Sequence, residues 1–310
     1  MTLTTQAPPR RGQHRPPAAA RRRANPWPYL LIAPAVAGGI FLLLYPLLKA
    51  ALISFQHFRM GELIRGGAEL VGFDNYRELL AKEEFWQVVL RTFVWTAVNV
   101  VLIVVLGTGI GLMLARLGKR ARLLLMSALA LAWATPVIAA TTIFQWLFQS
   151  ELGIVNWLLG IQGFAWFADP VAMFAVLVIL VVWQSIPFVA LTLYAGLTTI
   201  PNELYESARI DGGTGWQIFW KVTFPILRPL FALITSLEII WVFKCFPQIW
   251  VLSQGGPDGA TTTLPVYAFK IARVLHRYDM GSAVAMLTVV ILAFALITNL
   301  RRMLKQEAAA

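Results

Sequence analysis

Six stretches of this chain are long and apolar enough to cross a lipid bilayer, and they restrict its fold more than any other feature. They are Tyr29–Phe55, Thr92–Ala115, Leu123–Phe148, Val171–Thr192, Leu230–Leu252 and Gly281–Leu300. A spanning helix needs about 20 predominantly apolar residues. The second, third, fourth and sixth stretches contain no Asp, Glu, Lys or Arg; the first carries Lys49, and the fifth carries Glu238 and Lys244. Hydrocarbon offers no water to unpaired backbone groups, so segments of this kind must be helical. The sequence therefore predicts an all-α integral membrane protein with six transmembrane helices. Composition agrees: mean hydropathy is +0.69, and charged side chains make up 13% of the 310 residues, roughly half the usual share. The apolar content excludes a disordered chain. The single Cys245 excludes a disulfide-stapled one.

The net charge of +11 would suggest nucleic acid in a soluble protein, but its distribution suggests a membrane orientation. Sixteen Lys and Arg lie in the N-terminal tail, the second and fourth connections and the C-terminal tail, against seven in the first, third and fifth connections. Basic residues are retained on the cytoplasmic side, so both termini are expected inside. Residues 1–28 read as a disordered basic cytoplasmic tail, 29–300 as the membrane domain and 301–310 as a second cytoplasmic tail. The first apolar run is longer than a signal-peptide core and reads as a retained anchor.

Finer features follow from local chemistry. Glu78–Gln87 has helical spacing and predicts a short surface helix after the turn at Gly72–Tyr76. Gly255–Gly259 predicts a turn. Pro136 and Pro187 predict kinks in the third and fourth spans. Gly107 and Gly111, one helical turn apart inside an uncharged span, predict close approach of another helix. No phosphate-binding loop of the G-x-x-x-x-G-K-[ST] kind occurs. His14, His57, His276 and Cys245 give no metal-ligand set. No catalytic constellation, cofactor or metal is expected, and the chain reads as no enzyme.

The fourth connection, residues 197–229, is far longer than a helical bundle requires. Pro201 and Asn202 predict the start of a short helix, with Asn202 as cap and Glu203 and Glu206 in its first turns. Asp211-Gly212-Gly213 stops that helix. Thr214 caps a second, Gly215–Val222, carrying Trp216, Phe219 and Trp220, and Pro225 and Pro229 are expected to end it. This segment resembles the EAA loop of binding-protein-dependent ABC importer permeases, E-A-A-x3-G-x9-I-x-L-P. Glu206-Ser207-Ala208 is followed at matching spacing by Gly212 and then by Val222-Thr223-Phe224-Pro225. Ser207, Val222 and Phe224 depart mildly from the pattern. Trp183–Phe188, Phe73–Leu79, Trp146-Leu147-Phe148 with Gly153 and Asn156, and Gly255-Gly256-Pro257 look like the carbohydrate-uptake class, in the form of the first permease of a pair.

The resemblance implies a type I permease fold in the cytoplasmic membrane. It implies that Glu206, Ser207, Ala208, Asp211, Gly212 and Pro225 belong to a loop that couples to a cytoplasmic ATPase. The implied partners are a second homologous permease, two ATPase subunits and an extracytoplasmic solute-binding protein. The implied solute is a sugar, oligosaccharide or sugar derivative, with glycerol phosphate or a polyamine as the alternative. A scaffold or embedded enzyme is a third reading. Trp183, Gln184, Glu238, Trp241 and Lys244 are the candidate solute pathway. Trp183 and Glu238 align with sugar-contacting positions of the maltose importer. A charge at mid-membrane depth costs roughly 2.5–3.5 kcal/mol on insertion scales, so it faces a cavity or a partner. For Glu238 the rival reading is a bond to a neighbouring helix, and for Lys244 snorkelling to the interface.

Overall fold

The computed structural model describes residues 27–307, and apart from one two-residue strand pair its regular structure is helical. The expected tail at 1–28 falls, but for Trp27 and Pro28, outside the described residues. Residues up to Leu47 and residues from Leu48 onward form separate units. The first holds α1 (Trp27–Gly39) and a wide π-helical turn, Ile40–Leu44, and the division falls within α2 (Tyr45–Ser54).

After α2 the larger unit continues with β1 (Gln56–His57), α3 (Met60–Arg65), β2 (Glu69–Leu70) and α4 (Asp74–Leu80). β1 and β2 pair antiparallel. The long α5 (Glu83–Arg116) follows, then α6 (Lys119–Ala134), α7 (Val137–Leu147) and α8 (Ile154–Leu159). Next come α9 (Pro170–Leu197), α10 (Asn202–Ile210) and α11 (Gly215–Ile218). The last elements are α12 (Phe224–Phe243), α13 (Pro247–Ser253), α14 (Leu264–Phe269) and α15 (Tyr278–Glu307). Five helical runs qualify as spans by length and apolarity: Leu30–Ser54, Glu83–Arg116, Pro170–Leu197, Gly215–Ser253 and Tyr278–Thr298. The pair α6 and α7, bent by 100° at its break, makes a sixth when counted as one. The α-helical class and the number of apolar runs agree with the sequence reading.

Four details differ from it. The expected helix Glu78–Gln87 is split: α4 ends at Leu80, and α5 starts at Glu83, where Glu83 and Glu84 favour the positive end of the helix dipole. Asn202 is the first residue of α10 and Pro201 stands at the cap position without a side-chain bond. Pro225 and Pro229 do not end the second loop helix. Residues 219–223 form a π-helical turn that runs directly into α12, with Phe224 N–H bonded to Phe219 O. Pro225 then falls in the first turn of α12, where its missing N–H is tolerated, and the widened turn makes room for its ring. Finally, the fifth span is not continuous, because α12 stops at Phe243.

The core is built on α5 and α9, with α12 packed against both. Trp95, Ile103, Leu177, Leu180, Val189 and Ile234 are among its buried members. Lipid tails are as apolar as these side chains, so helix association rests on close van der Waals packing. Gly107 and Gly111 supply the close approach that their spacing predicted. A Cβ at Gly107 would stand 2.6 Å from Val189 Cγ1, and one at Gly111 3.1 Å from Ala190 O.

A polar clamp ties the 56–82 connection to the start of α15. Arg277 bonds both carboxylate oxygens of Glu78, at 2.7 and 3.0 Å, and Lys82 adds a third bond. Arg277 and Lys82 hold the Glu78 carboxyl down at about 2. A lowered carboxylate contributes fully above its ordinary value near 4.5, and its contribution fades as pH falls toward 2. Asp279, wholly buried, accepts from its neighbour's N–H while its own N–H donates to Phe58 O.

Substituting Gly107→Leu should lower the thermal unfolding midpoint of the detergent-solubilised protein by several degrees, because overpacking costs about 1–3 kcal/mol. Gly109→Leu is the control, since nothing lies within 4 Å of its Cβ position. Equal midpoints for the two variants would contradict the packing assignment.

Candidate functional site

Two helix breaks, each directly before a proline, open onto one cavity of about 490 Å³. A proline ring disfavours helical geometry in the residue before it. Thr135 is accordingly extended before Pro136, and α7 restarts at Val137. Phe246 leaves helical geometry before Pro247, and α13 restarts at Pro247 itself. Thr135 and Val137 line the cavity from the first break, Lys244 and Gln248 from the second. The carbonyl of Val242 beside the second break accepts from the indole N–H of Trp95 and from Cys245 N–H. Buried Trp95 thus supplies one of the bonds that a continuous helix would have made. Gln248 bonds Gln184 of α9 at 3.2 Å and accepts from the Cys245 thiol, which holds the short α13 against α9.

Glu238 is the chemically unusual member of this wall. Its side chain belongs to a residue only 4% exposed. It borders the cavity beside Ser185, and its Oε2 has no hydrogen-bond partner. A buried acceptor left unpaired costs about 1–3 kcal/mol, more if charged. The indole rings of Trp133 and Trp241 and the ring of Phe188 supply apolar walls. Lys244 Nζ lies 5.3 Å from the centre of the Trp241 ring. Lys244 N–H still bonds Ile240 O, so Lys244 follows the screw of α12 and lies on the cavity face with Leu237 and Trp241; the Glu238 and Lys244 side chains share the cavity without an ion pair between them.

Of the pathway residues read from sequence, Gln184, Glu238, Trp241 and Lys244 come together here and Trp183 does not. Trp183 points the other way on α9, partly exposed, against Phe144 of α7. Trp183 and Gln184 are adjacent, and one step along a helix is a rotation of about 100°. Gln248, Trp133 and Thr135 were missed. Pro247 was the available signal for Gln248, since a proline inside an apolar run marks a break.

The 197–229 connection forms a second structured element. α10 ends in a Schellman motif: Gly213 N–H bonds Ala208 O and Gly212 N–H bonds Arg209 O. Gly212 has φ +76°, a conformation that side chains resist, and a Cβ at Gly213 would stand 2.7 Å from Ala208 O. Asp211 is the C-cap. Thr214 and Gln217 then form a reciprocal capping box at the start of α11. The Tyr205 and Thr223 hydroxyls lie 3.3 Å apart and tie α10 to the π-helical turn. Glu206 and Ser207 are exposed, as are Leu204, Ile210 and Trp216, with Ile210 86% and Trp216 72% accessible. The result is a double turn that exposes these three apolar side chains and continues without a loop into α12, the helix of Glu238.

Comparison with known proteins completes the description. Residues 107–307 match the family model of the binding-protein-dependent transport system inner membrane component. The diacetylchitobiose uptake system permease protein DasB of Streptomyces coelicolor is 49% identical over 295 residues, covering 93% of this chain and 90% of that protein. The trehalose/maltose transport system permease protein MalF of Thermococcus litoralis is 33% identical over 273 residues, covering 87% and 91%. Among solved structures, a bacterial ABC transporter involved in import of the acidic polysaccharide alginate superposes with a TM-score of 0.77 at 18% identity, covering 90% of this chain and 96% of that one.

The single cysteine makes the cavity directly testable. In a Cys245→Ser background, Gln184→Cys and Thr135→Cys should react with a small water-soluble thiol reagent, and Trp183→Cys should react far more slowly. Equal labelling at positions 183 and 184 would contradict the assigned faces of α9.

Proposed function

The chain belongs to the binding-protein-dependent transport system inner membrane components, and on that premise we propose that it carries a sugar, oligosaccharide or sugar derivative across the cytoplasmic membrane. The single observation that carries the proposal is the cavity around Glu238. Indole faces suit the apolar faces of sugar rings, while Gln184, Glu238 and Gln248 offer acceptors and donors to hydroxyl or amide groups. Its volume falls in the range of small-molecule sites. The solutes in the relatives' names, diacetylchitobiose and trehalose or maltose, are of this class.

In this reading the chain is half of a membrane heterodimer with a homologous permease. A solute-binding protein delivers solute from outside, and two ATPase subunits bind inside and hydrolyse the ATP. Residues 197–229 are the coupling element. The exposed face of Leu204, Ile210 and Trp216 docks on an ATPase, with Glu206 and Ser207 beside it. Closure of the ATPases displaces α10 and α11 as one piece. The Schellman turn at Gly212 keeps the two short helices at a fixed angle, and the unbroken path through Pro225 into α12 carries the displacement to Glu238. A wall that moves relative to α9 then opens the cavity to one side or the other.

Two outcomes check this. Reporter fusions after Gly118 and Gly213 should read as cytoplasmic and one after Gly256 as external; a cytoplasmic reading at Gly256 contradicts the orientation. In the assembled transporter, Gly212→Pro forces φ near −65° where +76° is needed. It should abolish ATP hydrolysis stimulated by loaded binding protein, and uptake of labelled diacetylchitobiose, while the subunit still inserts. Normal stimulation would make residues 197–229 a passive linker.

A further inference from the structure

We infer that a second cavity, beneath the coupling element, is a binding site for a phosphate group whose occupancy restrains coupling. This cavity, also of about 490 Å³, lies between the ends of α5 and α9, the start of α6, and α10 with α11. Three guanidinium groups from three helices border it: Arg116 in the last turn of α5, Arg122 in the first turn of α6 and Arg209 in the last turn of α10. Glu206 is the one acid among its lining residues, so the wall carries two unbalanced positive charges.

The three arginines are not equivalent. Arg122 is fixed in place: its Nε donates to Leu114 O at 2.9 Å, its Nη2 to Leu117 O at 2.7 Å, and its guanidinium lies 5.5 Å from the centre of the Tyr194 ring. Two of its five N–H groups are thereby used and three remain. Arg116 and Arg209 have no hydrogen-bond or ion-pair partner among the described residues. Arg116 reaches the joint of the two short helices, its Nη2 lying 3.6 Å from where a Cβ on Gly215 would stand. One anchored and two free guanidiniums converging from different directions suit an anion with acceptors on several sides. A phosphate monoester presents three strong acceptor oxygens and close to two negative charges. A carboxylate is planar with two oxygens and would meet one fork only.

The cavity is larger than a phosphate group, so the phosphate would bring an attached body. That body is either a soluble molecule such as a phosphorylated sugar, a monoester that keeps three acceptor oxygens, or an anionic phospholipid headgroup, a diester that keeps two and a single charge; what the two share is the anionic phosphate group. An anion held by Arg209 on one side and by Arg116 and Arg122 on the other cross-links α10 to the ends of α5 and α6. Those are the parts that must move apart or together if residues 197–229 act as a lever. Bound phosphate therefore slows coupling. The binding itself does not depend on the sugar reading.

The test uses the purified transporter, nucleotide-free for binding, in nanodiscs of phosphatidylcholine. Calorimetric titration with inorganic phosphate and with glucose 6-phosphate is set against glucose and against potassium chloride at equal ionic strength. A second arm replaces part of the lipid by phosphatidylglycerol, without soluble phosphate, and reads stimulated ATP hydrolysis. Saturable binding in the first arm assigns the soluble ester, and slower hydrolysis in the second assigns the headgroup. In either arm Arg116→Gln/Arg209→Gln should weaken the response by roughly tenfold or more, the scale of a lost charge-assisted hydrogen bond. Should the double variant fail to assemble, Arg209→Gln alone, at an exposed position, should still weaken it about tenfold. A response matched by chloride, identical in parent and variant, or absent from both arms overturns the inference.

Discussion

Backbone N–H and C=O groups inside a bilayer must be bonded within the protein or face a wet cavity, and this constraint organises the rest of the molecule. Pro136 and Pro247 each interrupt a helix in the apolar part of the chain. Both interruptions border the cavity that holds Glu238. Freed carbonyls are served by specific partners: Trp95 from α5 reaches the Val242 carbonyl, and the Thr135 hydroxyl donates back to Leu131 O. Breaks that would be intolerable against lipid become the means of placing polar side chains at depth. Glu238 sits among close-packed helices, and close packing makes such a wall rigid.

That rigidity comes from α5 and α9. The backbones of the two helices approach closely at Gly107 and Gly111, and α12 packs against both. α12 is also the continuation of the 197–229 connection, through a π-helical turn rather than a loop. Force applied at α10 and α11 therefore has a short covalent route to the helix of Glu238, while α9 offers the opposite wall. The structure supplies a packed scaffold, a continuous helical path and a cavity, and the proposed transport cycle uses that path as its lever.

Much of the fold was legible in the sequence because membrane helices leave strong marks. Long uncharged runs announced the apolar spans, and the glycine pair announced the close packing. The glycine stop at Asp211–Gly213 and the cap at Thr214 were also readable, since each has a local chemical cause. Continuity was not. Pro225 and Pro229 looked like stops, yet a widened turn and a first-turn position absorb Pro225 and α12 runs on through Pro229. Pro247 was passed over inside an apolar run, yet it breaks the fifth span and brings Gln248 to the cavity. The direction of a side chain depends on a helix's rotation about its axis, which sequence periodicity fixes poorly when nearly every residue is apolar. That is why Gln184 joins the cavity while its neighbour Trp183 faces Phe144.

The central claim is that the buried carboxylate of Glu238 meets the solute on its way through the membrane. Uptake of labelled diacetylchitobiose, with maltose for comparison, by a normally assembled Glu238→Gln transporter across a concentration series tests it most directly. The account predicts an altered apparent affinity or solute preference, on the order of tenfold or more for the loss of a charge-assisted hydrogen bond, with assembly intact. Affinity, preference and maximal rate all equal to those of the parent would contradict it.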